Sequence, residues 1–210
     1  LPTIDPNGNC TNGIEHIYST LTNNADDGSK LNYWPRSKYL NIWVVKSLAN
    51  AGAAAYAYLP GTAPSASTDG VIALNNYVGS IGTSQVSHSR TLTHEIGHFL
   101  NLQHTWGNTN NPGVACGNDG VTDTPVTKGY TSCQLTNNMI CTANVHENVQ
   151  NYMDYSYCSV MFTAGQRTRM RNAITSATGQ RSSLWTSTNL TATGVGLTAV
   201  RSEEHTSELQ

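Results

Sequence analysis

Three histidines and a glutamate at fixed spacing constrain this chain more than any other feature: His94-Glu95-Ile96-Gly97-His98, with His104 six residues further on. At about 100° per residue a helix carries His94 and His98 on one face, about 40° apart, so both imidazoles can reach a single metal ion. His104 lies too far along for that face and can join them only if the chain reverses sharply after Leu100. Residue 101 is where the reversal falls. A left-handed backbone there is easiest for glycine and next easiest for asparagine, and the residue present is Asn101. Three histidines and one glutamate at these positions arise by chance in about two chains per ten thousand of this composition. The pattern predicts a helix over residues 87–100, with Ser87 or Ser89 as N-cap, then a tight turn.

Three neutral imidazoles favour zinc, and three protein ligands leave the fourth tetrahedral position open, which separates a catalytic site from a closed structural one. Bound zinc lowers the pKa of a water in that position to about 7 and polarises a carbonyl. Glu95, beside the first ligand, is placed to act as general base on that water. The set predicts amide hydrolysis at neutral pH by attack of zinc-bound water. His16, His88 and His146 have no partner at metal-ligand spacing and are read as ordinary surface or core histidines.

Composition narrows the setting. Only 11% of the 210 residues are charged, whereas Thr, Asn and Ser make up 68 of them, so the surface is polar but weakly charged. A net charge of -2 with no basic stripe argues against nucleic-acid partners. The longest apolar runs, such as residues 53–59, fall far short of the roughly 20 residues that cross a bilayer, so no membrane span is expected. Of five cysteines, Cys116, Cys133, Cys141 and Cys158 fall within a 43-residue stretch poor in apolar side chains, and Cys10 stands apart. With no Cys-x-x-Cys pair to suggest a thiolate zinc cluster, disulfides and a secreted protein are the natural reading. Four cysteines permit three pairings, and their spacing does not choose among them.

Along the chain, residues 39–45 (YLNIWVV), 55–59 and 71–74 read as strands, with residues 13–19 as a candidate fourth and Asp26-Asp27-Gly28-Ser29 as a turn. Residues 163–177 read as a second helix entered through Thr163 as N-cap. Residues 107–152 show no sustained period and read as a long irregular segment, with the Asn and Gly of 108–113 as simple loop composition. The last ten residues, RSEEHTSELQ, break composition and match the translation of a sequencing-adapter oligonucleotide, so residues 201–210 are expected to be a non-native tail.

Four motifs together resemble the pappalysin family of metzincin metallopeptidases, in a secreted bacterial-type form, over roughly residues 1–180. HEIGHFLNLQHTWG from His94 to Gly107 resembles the extended zinc-binding sequence, and Asn151-Tyr152-Met153-Asp154-Tyr155 the Met-turn. Asp119-Gly120-Val121-Thr122-Asp123-Thr124-Pro125 resembles a loop that binds structural calcium, and Met161-Phe162-Thr163 through Arg169-Met170 the opening of the last helix. The resemblance implies one catalytic zinc on His94, His98 and His104, with Glu95 as general base. It implies Met153 as an apolar floor beneath the ligands, Tyr155 as a donor to the developing oxyanion, and Asp119, Thr122, Asp123 and Thr124 as calcium ligands. It also implies crossed disulfides, Cys116 with Cys141 and Cys133 with Cys158, leaving Cys10 unpaired.

The sequence departs from the family pattern in three places. Asn101 stands where glycine is usual, and Ser156-Tyr157-Cys158 follows the Met-turn tyrosine where members with a basic cleavage preference carry acidic residues. A strand and a backing helix that normally open the family's domain precede the segment that residues 1–13 resemble, and they are expected to be missing here. The fold expected is α+β with an α/β-type upper half: a metzincin-like twisted mixed sheet with the zinc helix beneath it, then an irregular disulfide-bonded subdomain ending in a helix. The catalytic domain is expected over residues 1–185, divided near residue 104, with 186–200 a linker or the start of a following domain. The function expected is a secreted, monomeric zinc endopeptidase whose partner is a protein or peptide substrate, lying extended along strand 55–59 as the rim. The rivals are a truncated, non-catalytic zinc-binding module and a zinc hydrolase of small amides.

Overall fold

The computed structural model describes residues 1–20 and 26–195; residues 196–200 and the expected non-native tail at 201–210 lie outside the described residues. Three strands, β1 (Ile42–Val45), β2 (Ala55–Ala57) and β3 (Val71–Leu74), form one mixed sheet in the order β1-β3-β2. β1 runs parallel to β3, with Ile42 opposite Val71, and β2 runs antiparallel to it, with Ala57 opposite Val71. All three strands are apolar in sequence, but only the central one has both faces covered: Val71, Ile72 and Ala73 are fully buried. β1 alternates, leaving Ile42 and Val44 exposed.

β3 spans the whole of the expected 71–74, whereas β1 and β2 are shorter than the runs 39–45 and 55–59. The Asn41 carboxamide is drawn to the Trp34 backbone, accepting from its N–H at 2.8 Å and donating to its carbonyl at 2.7 Å, while the Asn41 backbone carbonyl accepts the Val71 N–H at 3.0 Å just before β1 begins. Residues 13–19, expected as a strand, form none. Gly13 and Ile14 donate their N–H groups to the side chains of Thr11 and Asn12, and such local bonds compete with strand pairing.

The turn expected at 26–29 is present as a 3-10 turn, Asp27–Ser29, capped by Asp26. Asp27 accepts from the hydroxyls of Tyr56 at 2.9 Å and Tyr58 at 2.6 Å, and pairs with Lys30 at 2.9 Å. The buried Lys30 ammonium lies 4.6 and 4.8 Å from the two tyrosine rings. The turn thereby pins the edge strand β2.

Beneath the sheet, α1 (Thr91–Phe99) packs against β2 and β3. It starts later than expected, at Arg90, without a side-chain cap, because Ser89 Oγ donates back to the Val86 carbonyl at 2.7 Å and closes a separate 3-10 turn over Val86–His88. α2 (Ala164–Thr175) begins at Thr163 as expected, with Thr163 and Gln166 forming a reciprocal capping box. A third helix, α3 (Ser187–Ala192), was not expected. Asn189 donates to the Lys38 carbonyl at 3.0 Å and Thr3 to the Thr193 carbonyl at 2.9 Å, so the described part of 186–200 is tied to the body of the domain.

Two buried polar centres organise the domain, one joining its parts and one within the irregular region. Arg181 grips Asp69, at the entry to β3, through two bonds of 2.8 Å, donates to the Phe99 carbonyl at 3.1 Å and lies 3.4 Å over the Phe99 ring. In the lower half, the Glu147 carboxylate accepts from Thr127 Oγ1 and from the backbone N–H groups of Lys128, Ile140 and Cys141, organising loops that have no ladder of their own. Disulfides Cys116–Cys141 and Cys133–Cys158 staple the same region, and Cys10 is exposed and unpaired. Each bridge closes a 25-residue separation, which the chain-entropy argument values at about 3 kcal/mol.

Candidate active site

His94 and His98 project from α1, and the turn that follows is a Schellman motif. Leu102 N–H reaches the Gly97 carbonyl and Asn101 N–H the His98 carbonyl, both at 2.9 Å, and Asn101 takes φ = 73°. The fully buried Leu102 anchors the turn, and the chain doubles back so that His104 meets the other two imidazoles. Nε2 of His98 lies 3.1 Å from that of His94 and 3.2 Å from that of His104.

The other ring nitrogens define what these atoms are. Nδ1 of His94 faces the Tyr152 carbonyl at 2.7 Å, that of His98 the Leu102 carbonyl at 2.8 Å, and that of His104 the Thr109 carbonyl at 2.9 Å. A carbonyl only accepts, so each Nδ1 carries the proton and each Nε2 presents a lone pair. Burial holds all three rings below the usual histidine range, His94 far below it and His104 pushed down to about 3, with neighbouring imidazoles adding to the effect at both. Three unprotonated nitrogens converging on one point cannot hydrogen-bond to one another; a cation between them removes the conflict. The donor set fits zinc.

Glu95 is buried beside this centre, and the nearby Ala57 N–H of β2 favours its charged form. Its Oε2 has no hydrogen-bond partner among the described residues, and burial pushes its pKa up to about 8. Met153, fully buried, sits under α1 where a Cβ on Gly97 would overlap its sulfur, so the glycine permits the close approach of the Met-turn. Tyr155 is 39% exposed, with its ring 5.5 Å from His94 and 4.8 Å from His104 and its hydroxyl 3.5 Å from Asn110 Oδ1. Burial, with the Glu95 carboxylate, pushes its pKa up to about 12.

The 119–124 loop divides between two tasks. Asp123 accepts from Thr163 Oγ1 at 2.8 Å and Gly165 N–H at 2.9 Å, capping α2, while Thr122 is exposed. Asp119 is buried, and accepts from Val121 N–H and Gln166 Nε2, both at 3.0 Å. Thr124 Oγ1 is buried with no hydrogen-bond partner among the described residues. Sequence reasoning missed Gln166, whose amide links Asp119 to Asn151 of the Met-turn, at 3.0 and 2.8 Å. The capping-box spacing from Thr163 is the signal that could have singled it out.

Comparison with known proteins agrees with this geometry. The family model described as Pregnancy-associated plasma protein-A matches residues 23–175. An extracellular metalloprotease of Colletotrichum graminicola is 36% identical over 142 residues, covering 63% of this chain and 48% of the relative. One from Arthroderma otae is 32% identical over 170 residues, covering 75% and 62%. The chain thus spans about half to three-fifths of the length of these curated relatives. Among solved structures, mature mirolysin of Tannerella forsythia in complex with a cleaved peptide superposes with a TM-score of 0.72 at 32% identity, covering 93% of this chain and 75% of that one. The chain belongs to the pregnancy-associated plasma protein-A family, the pappalysin branch of the metzincin metallopeptidases.

Proposed function

We propose that this chain is the catalytic domain of a secreted zinc endopeptidase. The observation that carries the reading is the convergence of three Nε2 lone pairs, each fixed by a carbonyl on Nδ1, beside the buried Glu95 carboxylate with its partnerless oxygen. His94, His98 and His104 would hold the ion, and zinc there supplies a Lewis acid that activates water near neutral pH and polarises the scissile carbonyl.

The chain's own groups do the rest. Glu95 takes the proton of the attacking water and returns it to the leaving amine. Tyr155 leaves Asn110 and donates its hydroxyl to the developing oxyanion. β2 pairs only with β3 among the described strands, so its outer edge is free to receive an extended peptide, and the nearness of Ala57 in that strand to Glu95 supports this position for the substrate. Met153 keeps the floor of the centre apolar and closed.

Calcium enters the reading as a structural ion at Asp119 and Thr124, supported by the orphaned Thr124 hydroxyl and hard oxygen donors; Asp123 serves α2 instead. Secretion is supported by the two disulfides and by relatives named extracellular, and no described helix is long and apolar enough to cross a membrane.

The test is cleavage of labelled casein by the chain at neutral pH with zinc and calcium, beside Glu95→Ala and chelator controls. Turnover lost in both controls supports the endopeptidase. A folded protein that holds one zinc and clears no casein overturns it, leaving the binding module, or the small-amide hydrolase if a model amide is turned over.

A further inference from the structure

The Asn- and Gly-rich stretch 108–113, which reads as plain loop composition, lies against the third ligand. The Thr109 carbonyl accepts two N–H groups at once, His104 Nδ1 at 2.9 Å and Trp106 Nε1 at 2.9 Å. The two donor rings are stacked, with centroids 4.7 Å apart and planes 5° from parallel. Trp106 is 6% exposed and packs against Gly129, where a Cβ would overlap the indole. Tyr155 meets both rings edge-on, at 4.8 and 5.0 Å.

His94 and His98 inherit their directions from a helix; His104 does not. It stands beyond the turn, where the described residues give it one isolated bridge, to Gly107, and no helix or strand. An imidazole on such backbone would rotate about χ2 and exchange tautomers unless something outside the backbone fixed it. Here the stacked indole fixes the plane, and the shared carbonyl fixes both the tautomer and the in-plane direction. We propose that Trp106 is a positioning residue for His104, holding the third ligand aimed at the metal before the ion arrives. This inference rests on the zinc reading and adds a residue to it.

The experiment compares the full chain with Trp106→Leu, which removes stack and donor, and Trp106→Phe, which keeps a ring but removes the N–H. Zinc affinity is read by competition with a chromophoric chelator, the ligand field by the d–d bands of the cobalt-loaded protein, and folding by circular dichroism. The expected result is an affinity loss of about 10–100-fold with altered cobalt bands for Trp106→Leu, and a smaller loss of several-fold for Trp106→Phe. Val149→Ala, a core truncation at a residue 2% exposed, serves as a control for general destabilisation and is expected to leave affinity unchanged. Trp106→Leu binding zinc within about twofold of the parent chain, with unchanged cobalt bands, overturns the proposal, as does an equal loss in Val149→Ala. Should Trp106→Leu fail to fold, Trp106→Phe decides: a several-fold loss in a folded protein supports the proposal, and parental affinity with parental bands overturns it. A parent chain that binds no zinc overturns the zinc reading and this inference together, whereas a parent that binds zinc and cleaves casein beside unaffected Trp106 variants overturns this inference alone.

Discussion

Replacing Arg181 with leucine tests what joins the C-terminal segment to the zinc helix. The guanidinium is fully buried and makes four hydrogen bonds: two of 2.8 Å to Asp69, one of 3.1 Å to the Phe99 carbonyl and one of 2.9 Å to the Gly179 carbonyl. Removing it strands Asp69, itself 1% exposed, with only the longer 3.4 Å contact to Arg36. Breaking a buried pair from one side costs about 3–5 kcal/mol, most of it from the charge left behind. For a domain of this size the corresponding fall in Tm is about 10 °C. Thermal unfolding followed by circular dichroism, with the disulfides intact, measures it. The double variant Arg181→Leu with Asp69→Val removes the stranded charge, and Arg36, partly exposed, can turn to solvent. It should recover most of the loss, since apolar replacement of a buried pair is often neutral or better. A single variant that loses less than about 1 kcal/mol, or a double variant no more stable than the single, would refute the reasoning.

Further outcomes follow from the same contacts. Burial raises the Glu147 pKa, but the hydroxyl and amide donors around it outweigh that, and the group sits below the ordinary glutamate value. Its stabilisation is therefore present above the unfolded pKa near 4.5 and lost as pH falls through the lower folded value, so the stability deficit of Glu147→Gln, about 2 kcal/mol at pH 7, should shrink on acidification; a constant deficit would contradict this. Asn101→Gly should raise stability by about 0.5 kcal/mol and Asn101→Val lower it by about 1–2, because φ = 73° is strained for a β-branched side chain; denaturant midpoints decide. Thr163→Ala should cost about 1 kcal/mol through loss of the α2 capping box. Selective calcium chelation should lower the Tm of the parent chain and not that of Thr124→Val; equal shifts in both would remove Thr124 from the cation's ligands.

What could be read before the fold was known is what local chemistry dictates. The helix spacing of His94 and His98, the reversal at Asn101 and the Thr163 cap each depend on a few consecutive residues. The crossed disulfides and the place of Met153 came from family resemblance, since neither pairing nor depth is written in spacing. Residues 13–19 misled because β-favouring side chains there were outcompeted by Thr11 and Asn12 capping the backbone. Ser87 and Ser89 misled because a serine before a helix can equally close the preceding turn. Arg181 and Asp69 are 112 residues apart, and Glu147 collects donors from two separate segments, 127–128 and 140–141; no periodicity announces either. Trp106 lay inside the recognised motif, but its task depends on Thr109 and Gly129 being folded around it.

The central claim is an open, three-histidine zinc centre, and zinc K-edge absorption of the chain carrying one equivalent of zinc tests it most directly. The account predicts three imidazole nitrogens at about 2.0–2.1 Å and one oxygen not supplied by the protein. A sulfur ligand, a fourth protein nitrogen, or zinc that does not stay bound would contradict it.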